Sequence, residues 1–297
     1  MNYSKNSIKS NRGATAPLIV NLKRSSSIES VHRVHAVVSD SKGRVLMSAG
    51  QKEMETYIRS ALKPFQALPF ISSGTAEKTG CGSKSVAITC GSHQGTKYHA
   101  REVFKILWNS DLSAEVLQCP IPTNKKSRLE NNCSGKHAGF LATSNRMGWD
   151  LNNYLDGKHP LQIEINRRVA ELLVIPADEL IAARDNCGAP TLLLQLSQMS
   201  MLYAHLSESN NPEFEQIRRA MLAHPELVAG EGAFDTELMR RGHGQLVSKG
   251  GAEGIQCLSK VGEGIGIAIK VEDGSKRAKH AVALHLLRQL EWMTPIG

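Results

Sequence analysis

The stretch Arg59-Ser60-Ala61-Leu62-Lys63-Pro64-Phe65 sets a hydroxyl and an amine three residues apart. Leu62, Phe65, Ala67 and Leu68 follow at helical spacing, so a helix starting near Ser60 places Ser60 and Lys63 on one face, one turn apart. A serine hydroxyl attacks poorly until something takes its proton. A lysine one turn away can take it if burial or nearby cations keep the amine neutral. A second hydroxyl, Ser92, stands among glycines in Gly91-Ser92-His93-Gln94-Gly95, and a second amine, Lys249, lies in Ser248-Lys249-Gly250-Gly251. Taken singly, each has an ordinary reading: Ser-x-x-Lys arises by chance at helix starts, and a serine between glycines is usually a turn residue. What raises the Ser-x-x-Lys match above chance is the company it keeps further along the chain.

The surrounding pattern predicts the elements that must hold these groups. Leu18 to Leu22 and Val31 to Val38 read as strands, and Ser39-Asp40-Ser41-Lys42-Gly43 turns the chain into Val45-Leu46-Met47. The Ser60 helix closes at Ser72-Ser73-Gly74. Val86 to Cys90 reads as a short apolar strand leading into the Ser92 turn, and Tyr98 to Trp108 as a helix. The middle is expected to be helical: a helix after Pro160, one opened by Pro190 and running through Leu193, Leu196 and Met201, and one capped by Asn211-Pro212. Strands return at 244–248, 254–259 and 264–271, with a last helix from about Lys276 to Trp292. The two strand groups can pair into one sheet, leaving a helical lobe beside it and a cleft between the lobes for a substrate.

With 297 residues the chain fits one large domain, and the polar, basic opening segment 1–16 reads as a disordered tail before a single catalytic domain over 17–297. No apolar run approaches a membrane span, and no hydrophobic stretch near the start resembles a secretory signal. A cytoplasmic location is therefore expected, with Cys81, Cys90, Cys119, Cys133, Cys187 and Cys257 as reduced thiols. The net charge of +8 is spread along the chain and mixed with acids, and no basic stripe with stacking aromatics marks a nucleic-acid reader.

Six motifs in order resemble one family. They are Arg59-Ser60-x-x-Lys63-Pro64, Cys90-Gly91-Ser92-His93, Asn132-Cys133-Ser134-Gly135-Lys136-His137-Ala138-Gly139, Asp185-Asn186-Cys187-Gly188-Ala189-Pro190, His224-Pro225-Glu226-Leu227-Val228-Ala229-Gly230 and Ser248-Lys249-Gly250-Gly251. From about Ile19 to Trp292 the chain resembles the asparaginase II family of serine-hydrolase-like L-asparaginases, sometimes called class 3. The family's scaffold is that of the penicillin-binding and β-lactamase enzymes, which use the Ser-x-x-Lys device and a Lys-Thr-Gly element like Ser248 to Gly251. The fold implied is α/β and β-lactamase-like, an antiparallel sheet flanked by helices with a mainly helical lobe inserted.

The resemblance implies roles. Ser60 is similar to the nucleophile and Lys63 to its proton acceptor; Ser92 and Lys249 match the second pair, which holds the substrate amide and relays a proton to leaving ammonia. Arg59, His137 and Asp185 resemble contacts for the α-carboxylate and α-amino groups of the substrate. Cys133, Lys136 and Cys187 match a zinc position, with the metal organising the loops around His137 and Asp185 rather than entering the chemical step. The bland reading of those cysteines is buried small hydrophobes, because a Cys-x-x-Lys spacing is not a standard zinc pattern. The activity implied is hydrolysis of L-asparagine to L-aspartate and ammonia through an acyl-enzyme, with a small-molecule substrate and a homodimer expected and neither nucleic acid nor membrane as partner. The alternatives are a β-lactamase-like glutaminase or other amidase and, from a different class, a non-catalytic amino-acid-binding module.

Overall fold

The computed structural model describes residues 15–208 and 210–293. Most of the expected tail over 1–16 thus lies outside the described residues. Its last two, Thr15 and Ala16, offer their carbonyls to the Gly50 N–H, and Thr15 Oγ1 donates to Ser48 O at 2.9 Å.

Among the described residues the strands run, in chain order, β1 (Leu18–Arg24), β2 (Ser27–Asp40), β3 (Val45–Ala49), β4 (Glu55–Tyr57), β5 (Ile181–Arg184), β6 (Pro190–Gln195), β7 (Leu246–Gly250), β8 (Ile255–Lys260) and β9 (Ile265–Val271). The two ends of the chain do pair into one sheet, ordered β1-β2-β9-β8-β7 with β3 also on β2, every pairing antiparallel. The β2–β3 turn is fixed locally: Gly43 has φ +76°, and the Asp40 carboxylate accepts the Lys42 and Arg44 N–H groups.

Side-chain alternation then decides what covers each face. Val34, Ala36 and Val38 of β2 pack with Ile267, Ile269 and Val271 of β9 under the helix Lys276–Gln289, through Ala278, Val282, Ala283 and Leu286. Val37 and Ala268 belong to the larger core on the other face, where the helix Leu196–Ser207 lies against the sheet. That approach is close enough to require Gly266, since a Cβ there would sit 2.0 Å from Ser200 O. The lobe beyond is built from the helices Ser83–Thr89, Lys97–Trp108, Ser134–Arg146, Pro160–Leu173 and Pro212–Ala223. Pro160 and Pro212 open their helices as expected, with the His159 and Asn211 side chains accepting first-turn N–H groups. The architecture is thus mixed α/β, antiparallel sheets flanked by helices.

Three expected elements differ. The helix expected from near Ser60 to Ser72 is the 3-10 turn Arg59–Leu62 followed by the short helices Lys63–Gln66 and Leu68–Ser72. The apolar run Val86 to Cys90 is the second half of the helix Ser83–Thr89, not a strand. A short run buried all round carries no periodicity to separate the two. Pro190 opens β6, and the helix begins only at Leu196. Pro is tolerated at the first residue of a strand, and Leu192 and Leu194 on β6 are buried while Thr191 and Leu193 alternate with them in the pleat. With β4 and β5 this strand makes a small antiparallel sheet, ordered β4-β6-β5, which the sequence did not announce. Among the described residues no helix is long and apolar enough to cross a membrane.

Candidate active site

Three parts of the chain converge. Directly after β4, Ile58 N–H bonds to Leu192 O at 3.0 Å and Arg59 N–H to Thr191 Oγ1 at 3.0 Å, so β6 delivers the chain to the turn Arg59–Leu62. Arg59 takes φ +54°, a left-handed conformation that costs a non-glycine residue about 1 kcal/mol or more. Its guanidinium explains why it is held there: Nε and Nη2 donate to Asp185 Oδ1 at 2.9 and 2.7 Å, and Nη2 also reaches Asn186 Oδ1. The Tyr203 hydroxyl ties down Ala61 O at 2.8 Å. Ser60 follows Arg59, partly exposed, and Lys63 is fully buried one turn on.

The Lys63 amine is directed to Ser92 rather than to Ser60. It donates to Ser92 Oγ at 2.9 Å, to Asn132 O at 3.4 Å and to Gly91 O. Gly91 is where the chain passes between the end of its own helix and the short helix Pro225–Val228, and a Cβ would stand 2.6 Å from Leu227 O. Ser92 is pinned beyond it by its N–H to Val228 O at 2.7 Å. From the other side, Lys249 on β7 donates to the same Ser92 Oγ at 3.1 Å and to Gly250 O at 2.7 Å. One hydroxyl therefore lies between two buried amines. Burial, together with the ammonium groups of Lys63 and Lys279, brings Lys249 down to about 7 against the opposing pull of Asp235. An amine with that acidity changes charge near neutrality, where a general base works best.

The residues expected to contact the substrate, Arg59, Asp185 and His137, form a second group beside the first. Asp185 starts the β5–β6 connection, Asp185 to Ala189, closed by Asp185 N–H to Ala189 O at 2.9 Å and by Gly188 at φ +88°. Burial would raise the Asp185 carboxyl, but hydrogen bonds from Arg59 and the charge of Lys136 hold it low, so it is an anion paired with Arg59. His137 is fully buried; its Nδ1 meets the Tyr154 hydroxyl at 2.7 Å, and that oxygen accepts Gln118 N–H at 3.0 Å. In the tautomer in which the Tyr154 O–H donates to Nδ1, the imidazole proton sits on Nε2. Burial and Lys136 push His137 down to about 3, so the ring is neutral, and among the described residues Nε2 has no partner.

The expected zinc site requires correction. Cys133, Lys136 and Cys187 do meet: Lys136 Nζ donates to Cys187 Sγ at 3.4 Å. Their chemistry is not that of a metal site. The Cys133 thiol, hydrogen-bonded to Cys187 and buried, is pushed up to about 12, while Cys187 is lowered to about 5 by that bond and by Lys136, against its burial. Although burial disfavours the ammonium form of Lys136, Cys187, Cys133 and Asp185 together raise it, so the amine keeps its proton and has no lone pair for a cation. Two sulfurs remain, and among the described residues no group of three His, Cys, Asp or Glu could hold a metal ion. Zinc is therefore withdrawn as a cofactor. The cluster is a thiol, a thiolate and an ammonium that satisfy one another.

Three site features went unseen in the sequence. Gly91 O and Asn132 O, backbone acceptors for Lys63, leave no trace in residue type. Thr191, the anchor of the Arg59 backbone, lies in a segment read as a helix. Asp235, which acts on Lys249, looks like an ordinary acidic residue in a first helical turn. A surface groove of about 590 Å³, lined among others by Lys42, Arg168, Met201 and Phe214, contains none of the site residues.

No curated protein sequence matches the chain. Among solved structures it is similar to a β-lactamase from Mycobacterium bovis, with 11% identity and a TM-score of 0.47 over 88% of this chain and 95% of the other. It is similar also to Mglu in its native form in 4.3 M NaCl, with 12% identity and a TM-score of 0.42 over 89% of this chain, which spans 62% of that protein's length. The assignment rests instead on sequence: the model of the L-asparaginase II family matches residues 20–296, nearly the whole chain and every residue of the site just described. The chain belongs to the L-asparaginase II family, a family of asparaginase-type amidohydrolases.

Proposed function

We propose that the chain hydrolyses the side-chain amide of L-asparagine, giving L-aspartate and ammonia through an acyl-enzyme. The observation that carries the proposal is the Ser92 hydroxyl held between the Lys63 and Lys249 amines at 2.9 and 3.1 Å. Above pH about 7 Lys249 is neutral and takes the Ser92 proton; Ser92 in turn takes one from Lys63. The net result is one proton moved from Lys63 to Lys249, leaving Lys63 with a lone pair one turn from Ser60. Ser60 then gives its proton to Lys63 as its oxygen attacks the amide carbon. For departure, Ser92 gives its hydroxyl proton to the leaving nitrogen and takes one back from Lys249, returning that amine to its neutral form; without such a proton an amide does not break. The Arg59 guanidinium and Asp185 carboxylate, paired in the free protein, offer one cation and one anion to an amino acid's carboxylate and ammonium, and the His137 Nε2–H adds a neutral donor.

A second reading is favoured by one observation: Ser92, not Ser60, touches the amine of lowered pKa, so Ser92 could itself be the nucleophile. Peptide mapping of enzyme quenched during turnover separates the two, with the acyl group on Ser60 expected. The activity itself is tested by ammonia release from L-asparagine and L-glutamine side by side. A pocket discriminates one methylene by about 1–3 kcal/mol, so slow release from glutamine is expected. Equal kcat/KM on both amides would contradict the assignment to asparagine. The same proposal includes assembly as a homodimer, checked by light scattering.

A further inference from the structure

The mechanism uses the face of β7 that carries the Lys249 amine, and the opposite face holds a buried carboxylate, Asp235, and a buried amine, Lys279. Because side chains alternate, Ser248 and Gly250 face away from Ser92, toward the helix Phe234–Arg241. There Asp235 Oδ1 accepts from Ser248 Oγ at 2.6 Å and from Gln256 Nε2 at 2.7 Å, and Oδ2 accepts the Gly250 N–H at 2.8 Å. Since β7 ends the sheet, that N–H points away from β8 and needs a partner from outside the sheet. Behind Asp235, the buried Lys279 of the last helix donates to Gly251 O at 3.1 Å and Ile255 O at 2.8 Å. Gly250 leaves room for the arrangement, for a Cβ would come within 3.0 Å of Lys279 Nζ and 3.2 Å of Asp235 Oδ2.

We infer that Asp235 is a positioning residue for Lys249: its carboxylate grips both strand neighbours of the lysine from the far face of the sheet, and with Lys279 it sets the charge the amine feels. This rests on the assignment of Lys249 to the proton chain. The charged and titratable groups acting on Lys249 are Lys63 from the Ser60 segment, Asp235, Lys279, and the thiols Cys133, Cys90 and Cys257. Asp235 favours the ammonium and Lys279 disfavours it, so the two act on Lys249 with opposite sign. Neither faces the substrate side of the strand.

The test is the pH dependence of kcat/KM for ammonia release from L-asparagine in Asp235→Asn, Lys279→Met and the double variant, with Lys249→Met alongside. Asp235→Asn is expected to move the rising limb to lower pH and Lys279→Met to higher pH, each by roughly half a unit to one unit, with the double variant back near wild type. KM is expected to change by less than about threefold, as neither side chain contacts substrate. Equal losses of rate with an unmoved limb, or shifts of the same sign, would overturn the inference and leave Asp235 a structural residue. If Asp235→Asn does not fold, the sign of the Lys279→Met shift decides alone. Lys249→Met with wild-type rates would instead refute the proton chain itself, a separate failure.

Discussion

Ser92 bonds two lysines, but the burial of one of them has a thermodynamic consequence that can be measured without substrate. Lys249 has an ordinary pKa of 10.5 and is brought down to about 7 in the fold. Between those values the unfolded chain holds the proton and the folded chain does not, so stability rises with pH across the window. The destabilisation is complete below about pH 7 and fades toward 10.5. Lys249→Met should therefore melt at a higher temperature than wild type, by an amount worth on the order of a few kcal/mol near pH 6 and clearly less near pH 9, while losing activity. A melting series in which the variant is less stable at both pH values would show that the lysine is not destabilising. Ser60→Ala and Ser92→Ala remove a hydroxyl each from partly exposed positions, so both should fold normally. Ser60→Ala is expected to lower kcat by at least about 10³-fold, because it removes the attacking oxygen; near-normal turnover would shift the nucleophile to Ser92.

At the scale of elements, the site depends on backbone passing where no side chain fits. Gly91→Ala would drive a Cβ to 2.6 Å from Leu227 O, and a backbone carbonyl of the short helix Pro225–Val228 cannot swing aside as a flexible side chain can. Both the Gly91 carbonyl that receives Lys63 and the Ser92 hydroxyl would move. We expect about 1–3 kcal/mol of destabilisation and a loss of kcat beyond what stability explains. Gly157→Ala meets nothing within 4 Å and serves as the control in the same melting and rate measurements. How far such elements could be read beforehand depended on the kind of signal they left. The outer strands, the helices begun by Pro160 and Pro212 and the placement of Lys249 on a late strand follow from alternation and caps, which act over a few residues. The strand nature of Pro190 to Gln195 does not, because proline suits a strand's first residue and a helix's first turn alike and only pairing with β4 and β5 chooses. The Ser-x-x-Lys spacing brought Ser60 and Lys63 forward, and the resemblance to the family added Ser92 and Lys249. Asp235 stayed hidden because its partners, Ser248, Gly250 and Gln256, are thirteen to twenty-one residues away and meet it only across a sheet edge. The thiols of Cys133 and Cys187 were visible, but not that Lys136 would keep its proton beside them.

For the molecule as a whole, the sheet joining the two chain ends contributes Lys249, the helical lobe contributes Ser92 and His137, and the small sheet contributes Asp185 and fixes Arg59. No single part holds a working set, so the chemistry requires the assembled fold. The proton chain makes the sharpest claim about that assembly, since it ties rate to the charge of one lysine buried between the parts. The measurement that tests it is kcat/KM for ammonia release from L-asparagine from about pH 5.5 to about pH 9, in wild type and Lys249→Met. The account predicts a wild-type rate that rises through a single ionisation near pH 7 to a plateau, and a Lys249→Met enzyme inactive throughout. A wild-type rate flat across that range, or a Lys249→Met enzyme with the same rising profile, would contradict it.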